Sequence, residues 1–599
     1  MSVAFAIPTQ KRLFLGVRRS VTGHAWEHRL SERQDMAALQ IAQTTGLPDI
    51  VARVLAGRGV QPDGAEKFLD PALRDLLPDP SSLTDMDAAA ERIVRGVMLR
   101  ERVAIFGDYD VDGACASALM KRFLAHYGVE AEIYIPDRIF EGYGPNPDAM
   151  RELAGRAALI VTVDCGTNSG AAIEAANDAG AEVVVLDHHQ VGGPLPPAVA
   201  IVNPNRDDDI SGQGHLCAAG VVFMTLVRAA AILRERAPDM PRMDLLTLLD
   251  LVALATVADV VPLTGVNRAF VVKGLIAIRH LQNAGLAALV KASRIGEPVS
   301  TFHLGFLLGP RINAGGRIGD AALGSRLLAC DDPIEAQQIA ETLDRLNGER
   351  QAMEQTMLAE ARAEADAELA GGDGPAIIVT ASDKWHPGIV GLIAARLKEH
   401  TRRPAFAIHF NPNGSGAGSG RSISGFDLGK LVREAVDAGL LVKGGGHGMA
   451  AGITVERSRL GELRAFFEDR AAEAVSRLRD EASLKIDGAL TADGATQGLF
   501  DDLERAGPFG SGYPPPVFVL PRHRIADIRT VGTGHLRAEL RSEMGGRITA
   551  IAFRSVDTKL GQFLLKSVGR TAHFAGSLSA NHWNGARSLQ FRISDAAEA

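Results

Sequence analysis

The chain has 599 residues, a formal charge of −8, and 46% hydrophobic and 23% charged residues, a globular composition that excludes a disordered or collagen-like polymer. At about 150 residues per domain, three or four domains are predicted. No apolar run reaches the ~18 residues of a membrane span, Pro8 and Lys11 interrupt the N-terminal stretch before it could form a secretory leader, and the four cysteines form no CxxC pair, so a reduced, cytoplasmic setting is expected.

The first hundred residues read as helices and turns, with amphipathic stretches at Asp49 to Leu55 and Asp85 to Leu99. Short apolar runs then alternate with helical ones. Val103 to Phe106, Glu132 to Pro136, Ala158 to Val163 and Glu182 to Leu186 have the near-continuous apolar character of strands buried on both faces, and their spacing suits crossover helices. This pattern predicts an α/β fold built on a doubly wound parallel sheet, whose ligands would sit at the carboxyl ends of the strands. Pro333 to Ala370, rich in Ala, Glu, Gln, Arg and Leu, predicts a long helix stopped by Gly371 to Gly374. A second α/β unit opens at Ala376 to Val379. The stretch Gly507 to Pro516 (GPFGSGYPPP) reads as a linker or tight loop, and short alternating segments beyond it predict an antiparallel barrel or sandwich. Residues 517–595 hold twelve Lys and Arg against five Asp and Glu, about +7, leaving about −15 elsewhere. A basic module on an acidic body points to a polyanion gripped locally.

The chemistry concentrates at the ends of the apolar runs. FGDYDVDG places Asp108, Asp110 and Asp112 after the first, VTVDCG places Asp164 after the third, and VVLDHH places Asp187, His188 and His189 after the fourth. Asp259 ends the later apolar run LLDLVALATVADVVP. One Asp after a strand is commonly a helix cap, a lone His is commonly a satisfied core or surface residue, and a calcium loop would need a Glu that this sequence lacks. Repetition changes the reading: so many carboxylates and two imidazoles facing one pocket would require cations to offset their charge. Mixed Asp/His ligation suits Mn²⁺ or Mg²⁺, and two ions form a phosphoryl-transfer clamp.

The order GDYDVDG, VDCG, DHH, ADVVP resembles the DHH phosphoesterase superfamily. Ile135 to Gly144, Gly309 to Gly319, Trp385 to Arg396, Gly418 to Ser422, Lys443 to Gly452 and the GPFGSGYPPP segment narrow the resemblance to the RecJ family of single-strand-specific exonucleases. FLDP (Phe68 to Pro71) and LTDMDAAAERI (Leu83 to Ile93) extend it toward the N-terminus. One departure is Tyr513, where the family usually has Asn.

The resemblance implies an N-terminal helical extension packed on the DHH domain (1–95), a DHH phosphoesterase domain (96–330), a connecting helix (331–372), a DHH-associated substrate-binding domain (373–482), and a linker with an OB-fold (483–599). It implies a single-stranded-DNA-specific 5′→3′ exonuclease releasing 5′-mononucleotides by two-metal-ion hydrolysis with Mn²⁺ or Mg²⁺, in DNA recombination and repair. Asp110 and Asp112 would contact different ions, Asp164 would bridge them, and His188 and Asp259 would complete the shell. Asp108 and His189 would be direct or outer ligands, Asp187 would orient an imidazole, and Cys165 would be packing. Arg138, Arg311, Asn313, Ser419 and Arg421 would bind substrate, with Gly445, Gly446 and His447 against a phosphate and His447 stabilising developing charge. On the OB-fold, Arg537, Arg541 and Lys566 are backbone contacts, and Trp583, Phe553, Phe574 and His535 are stacking candidates. A RecQ-type helicase and a single-strand-binding protein are the implied partners of a monomeric, cytoplasmic enzyme. The rival readings are a DHH-type oligonucleotide or cyclic-dinucleotide phosphodiesterase and a non-catalytic single-strand-binding replication scaffold.

Overall fold

The computed structural model describes residues 12–137, 141–370, 373–583 and 586–599, with the side chains of 582–586 outside that description. Arg138, the Trp583 side chain and the first two glycines of the expected helix stop therefore lie outside the described residues. The chain divides into two compact units, one of residues 1–77, 262–272 and 482–599, the other of residues 78–261 and 273–481. Among the described residues, no helix is long and apolar enough to cross a membrane.

The first strand, β1 (Ala25–His28), pairs in parallel with β12 (Ser483–Ile486). Of the N-terminal segment, expected on the DHH domain, residues up to 77 belong to the same unit as the C-terminal module, and residues 78–95 to the unit that holds the parallel sheet. The helices Glu32–Thr45 and Asp49–Ala56 bury Ile41, Val51, Val54 and Leu55 in one core with Phe518, Leu536, Leu540 and Phe591. That pairing joins residues more than 450 positions apart, beyond the reach of any local pattern.

The larger unit holds the predicted parallel sheet. Strands β2 (Val103–Gly107), β3 (Ala131–Tyr134), β4 (Leu159–Val163), β5 (Glu182–Leu186) and β6 (Ala200–Val202) are arranged in the order β3-β2-β4-β5-β6, all parallel. Every residue of β2 and β4 is buried, which is why these strands read as unbroken apolar runs. The three-residue β6 was too short to stand out. The run ending at Asp259 is a helix, Leu249–Ala258, buried on nearly all sides, so its continuous apolarity reflects enclosure.

The long helix spans Pro333–Leu369, with Asp332 capping its first turn and Pro333 at its first position. Gly348 does not break it. Beyond it, β7 (Ile378–Ser382), β8 (Ala405–Phe410), β9 (Ser415–Arg421), β10 (Lys443–His447) and β11 (Ala450–Glu456) form a sheet in the order β10-β11-β9-β8-β7, parallel only between β7 and β8. Met357, Ala361 and Ala365 of the long helix pack on Trp385, Ile389, Ile393 and Leu397, so one helix carries both α/β layers.

In the smaller unit, β13 (Gly488–Ala489) pairs with β14 (Phe518–Val531). β14, β15 (His535–Arg541), β16 (Arg547–Ala552), β18 (Ala586–Glu598) and β17 (Thr571–Trp583) then close into a five-stranded barrel, β17 returning to β14. The helix Lys559–Lys566 lies between β16 and β17 in the chain. This connectivity is that of an OB-fold. Tyr513, the departure from the family pattern, is buried and stacked on Phe509 at 5.3 Å and 5°, so the aromatic ring has become core.

Candidate metal centre and nucleic-acid interface

Asp108, Asp110 and Asp112 follow β2 directly and enter the helix Val111–His126. Asp110 caps that helix: its Oδ1 accepts from the backbone N–H groups of Asp112 (2.9 Å) and Gly113 (3.1 Å). The commonplace reading of such an Asp is therefore correct, and the second carboxylate oxygen remains for another task. The turn needs glycine at 113, because a Cβ there would stand 2.5 Å from the Asp108 carbonyl oxygen. Asp112 is gripped differently. Both its oxygens accept N–H groups, from Ala218 (2.6 Å) and Ala219 (2.8 Å), at the start of the helix Ala218–Arg236, where the helix dipole favours a negative charge.

Asp187 organises the two histidines. Its Oδ1 accepts the backbone N–H of His188 (2.7 Å) and of His189 (3.1 Å) and lies 2.8 Å from His189 Nδ1, while its Oδ2 accepts the Thr167 N–H (3.1 Å). These contacts hold its pKa well below the usual carboxylate range against the opposing effect of burial, and they raise that of His189 although burial opposes it. His188 Nδ1 donates to the Leu216 carbonyl at 3.1 Å, which turns the Nε2 lone pair into the pocket. There Nε2 lies 3.3 Å from Asp164 Oδ1, 3.7 Å from Asp112 Oδ2 and 3.8 Å from Asp259 Oδ2. Asp259 reaches this point as the C-cap of the helix Leu249–Ala258.

Three overlapping groups of possible ligand atoms result: Asp108, Asp110 and Asp164; Asp112, His188 and Asp259; and Asp164, His188 and His189. Asp110 and Asp112 fall in different groups, and Asp164 belongs to one group with Asp108 and Asp110 and to another with His188 and His189. Burial raises the pKa of Asp112, Asp164 and Asp259, the last to about 9, with neighbouring carboxylates adding to the effect. Asp164 Oδ1 is buried and accepts no hydrogen bond. A buried carboxylate oxygen without a donor costs free energy, and a hard divalent cation would relieve it. The residues present fit a Mn²⁺ or Mg²⁺ pair. Cys165 is buried, its thiol pKa pushed up by desolvation, so the packing reading agrees with its surroundings.

Four residues without a role in the sequence reading complete the shell. Asn203 Nδ2 donates to the His189 carbonyl (2.8 Å) and to Thr167 Oγ1 (2.9 Å), and Asn205 Nδ2 donates to the His188 carbonyl (2.6 Å). Tyr143 Oη lies 3.1 Å from the Asp164 carbonyl and 3.0 Å from His189 Nε2. The signal for the asparagines was the Asn-Pro-Asn turn after an apolar Ala-Ile-Val.

On the second sheet, Ser419 and Arg421 sit two residues apart on β9 and meet, Arg421 Nη1 donating to Ser419 Oγ at 2.8 Å. A Cβ on Gly391 would stand 3.1 Å from both side chains, so glycine there keeps room for them. Cross-strand register aligns His447 with Ala450 and Ala450 with Arg421, and likewise Gly445 with Gly452 and Gly452 with Ser419. His447 and Arg421 therefore share one sheet face about two strand spacings, ~10 Å, apart, beside a bare strip of glycine backbone. Gly444 to His447 thus form an edge strand. Arg311 donates to Asp344 Oδ1 (2.9 Å) and the Leu307 carbonyl (2.8 Å), and Asn313 Oδ1 is buried without a hydrogen bond. Arg317 donates to the Gly388 carbonyl at 3.0 Å, tying the helix Gly309–Ile318 to the turn before the helix Val390–Thr401.

On the barrel, Arg524, Arg541 and Arg547 form one row across β14, β15 and β16, and Arg529 pairs with Arg537. Like charges placed opposite one another are unfavourable alone and suit a polyanion. Phe574, a stacking candidate, is core at 0% exposure: its β17 position faces the barrel interior. Phe553 is half exposed, with His535 at 5.2 Å and the Arg592 guanidinium over its ring. Lys566 is exposed at the end of its helix.

A parallel sheet whose strand ends supply Asp, Asp-His-His and a paired Asp triplet, joined by a long helix to a smaller sheet, defines a DHH-type phosphoesterase. Residues 102–256 match the DHH family N-terminal domain, 373–473 the DHHA1 domain and 486–595 the RecJ OB domain. The single-stranded-DNA-specific exonuclease RecJ of Dickeya dadantii is 37% identical over 562 residues, covering 91% of this chain and 96% of that protein. RecJ of Bacillus subtilis is 32% identical over 579 residues, covering 96% and 70%. The crystal structure of Thermus thermophilus RecJ with Mn²⁺ matches with a TM-score of 0.77 at 30% identity, covering 94% of this chain and 78% of that one. Its Mg²⁺ counterpart matches at 0.72 and 28%. The chain belongs to the RecJ family of single-stranded-DNA-specific exonucleases.

Proposed function

We propose that this chain is a metal-dependent exodeoxyribonuclease that degrades single-stranded DNA from the 5′ end and releases 5′-mononucleotides. The observation that carries the reading is the convergence of Asp112, Asp164 and Asp259 on His188 Nε2 at 3.3–3.8 Å, beside the Asp108–Asp110–Asp164 group. Family membership and the domain set support it. So does the basic barrel, for which a small-substrate phosphodiesterase has no need. The complete acidic cluster disfavours a non-catalytic scaffold.

Asp108, Asp110 and Asp164 would hold one divalent ion and Asp112, His188 and Asp259 another, with Asp164 shared. Bound Mn²⁺ or Mg²⁺ would supply Lewis acidity at the phosphoryl group and for the attacking water. The chain's own residues do the rest. Ala218 and Ala219 fix the Asp112 carboxylate, and the Leu216 carbonyl fixes the His188 tautomer. Asp187 holds both histidine backbones and the His189 ring, so the pocket is formed before substrate arrives. Ser419 and Arg421 would receive a terminal 5′-phosphate, Arg421 through its planar fork. His447, on the same face, would reach the scissile phosphate, with Gly445 and Gly446 allowing close approach of backbone. Asn313 would contribute an acceptor, and Arg311 would join once its bond to Asp344 exchanges for phosphate.

The functional division we propose assigns the metals to 96–330, the 5′ end to 373–482 and the single strand to the arginine rows of 483–599. A cytoplasmic repair and recombination role, with a RecQ-type helicase and a single-strand-binding protein supplying substrate to a monomer, completes the reading. The test is product analysis of a 5′-labelled single strand with Mn²⁺. Labelled mononucleotide as the first product supports the reading, and release of label only in long fragments or from duplex alone contradicts it. In Arg421→Ala the preference for 5′-phosphate over 5′-hydroxyl ends should fall.

A further inference from the structure

The Gly309–Ile318 helix is preceded by one π-helical turn, Leu304–Leu308, a distortion frequent near functional sites. Leu304 and Leu308 are fully buried, yet Phe302 and Phe306 are 54% and 70% exposed. The two rings stack on each other, with centroids 5.2 Å apart and planes at 26°. His303 between them turns inward to Ser300 and Glu297, so the pair is an outward step of the turn rather than a slipped core. Two exposed, mutually stacked phenylalanines forfeit burial that a soluble surface ordinarily secures.

Their position relates them to the metal centre. A methyl built on Gly305 would stand 3.5 Å from Val257 Cγ1. One on Gly309 would stand 3.5 Å from Ala258 Cβ and 3.7 Å from Val111 Cγ2. Val257 and Ala258 immediately precede Asp259, and Val111 lies between Asp110 and Asp112. The segment bearing the phenylalanines is thus packed on side chains adjacent in sequence to three of the clustered carboxylates. Among ligands of a site that takes single strands, unpaired bases carry the flat π-faces that such a platform accepts.

We propose that Phe302 and Phe306 form a stacking ledge on which bases of the single strand rest beside the metal pocket. Their contact is with the π-face, so it reads no sequence. The assignment rests on the single-strand reading of the function above. The test uses the full-length chain with EDTA to prevent hydrolysis, and 5′-phosphorylated oligothymidylates carrying 2-aminopurine at successive positions. Binding to the unaltered chain should quench one or two neighbouring positions. The double variant Phe302→Ser/Phe306→Ser should lose that quench and bind roughly ten-fold more weakly, as expected when one base–aromatic stack is removed, whereas Phe302→Tyr/Phe306→Tyr should keep both. Unchanged quench and affinity in the serine pair, with the unaltered chain still cleaving single strands under Mn²⁺, would overturn the ledge alone. Failure of the unaltered chain to bind or cleave any single strand would overturn the functional reading and the ledge with it.

Discussion

The metal pocket and the barrel face, which we propose meet the same polyanion, carry charge of opposite sign and opposite construction. In the pocket, carboxylates are buried and individually fastened: Asp112 by two backbone N–H groups, Asp187 by four donors, Asp110 by its helix cap. On the barrel, arginines are aligned across strands and half or fully exposed. Low dielectric amplifies each interaction in the first region, and solvent screens each in the second. Single substitutions should therefore be severe in the pocket and graded on the barrel.

The largest effect is expected for Asp164→Ala, which removes the carboxylate shared by two of the clustered groups. Mn²⁺-dependent hydrolysis should fall by at least about a thousand-fold with strand binding under EDTA nearly unchanged, as read by single-turnover kinetics and fluorescence anisotropy. Undiminished hydrolysis would merge the two regions into one class. Asp187→Asn should be milder. It keeps the shape but weakens the hold on His188 and His189, and a loss of about 10–100-fold in activity or Mn²⁺ affinity is expected.

On the barrel, Arg537→Ala with Arg541→Ala should leave turnover at saturating strand unaltered in order of magnitude and weaken binding. The slope of log affinity against log salt should fall by about 0.7 for each phosphate no longer neutralised. A salt slope equal to that of the unaltered chain would deny the face its role. The smallest effect concerns His523, a buried residue of β14. Its Nε2 accepts the Ala492 N–H at 3.1 Å and its Nδ1 donates to the Pro521 carbonyl at 2.9 Å. Desolvation lowers its pKa from 6.5, so the folded chain holds fewer protons there than the unfolded one. Its contribution is complete above pH 6.5 and is lost as pH falls from that value toward the depressed folded one. His523→Gln should flatten that part of the melting-temperature profile, and an unchanged slope would remove His523 as its source.

The same contrast governs what could be read from the amino-acid order. β2, β4 and β5 were legible because strands buried on both faces are written as unbroken apolar runs, and their terminal Asp and His residues stood out against them. The helix before Asp259 was equally apolar, and enclosure erased the periodicity that would have distinguished it. The grip of Ala218 and Ala219 on Asp112 spans more than 100 residues and uses only backbone, so no side-chain motif announces it. Tyr143 lay inside a recognisable motif but without an evident role, and only the fold brings its hydroxyl to Asp164 and His189. On the barrel, alternation distinguished strands from turns but not inward from outward, which is why Phe574 read as a surface ring.

The decisive measurement is calorimetric titration of Mn²⁺ into the full chain and into Asp164→Ala at one pH. The unaltered chain should take up two ions, and the variant at most one, with weakened affinity. Two ions bound equally well by both would mean that Asp164 does not join the clusters around His188 and Asp110, and the account of the centre would fail.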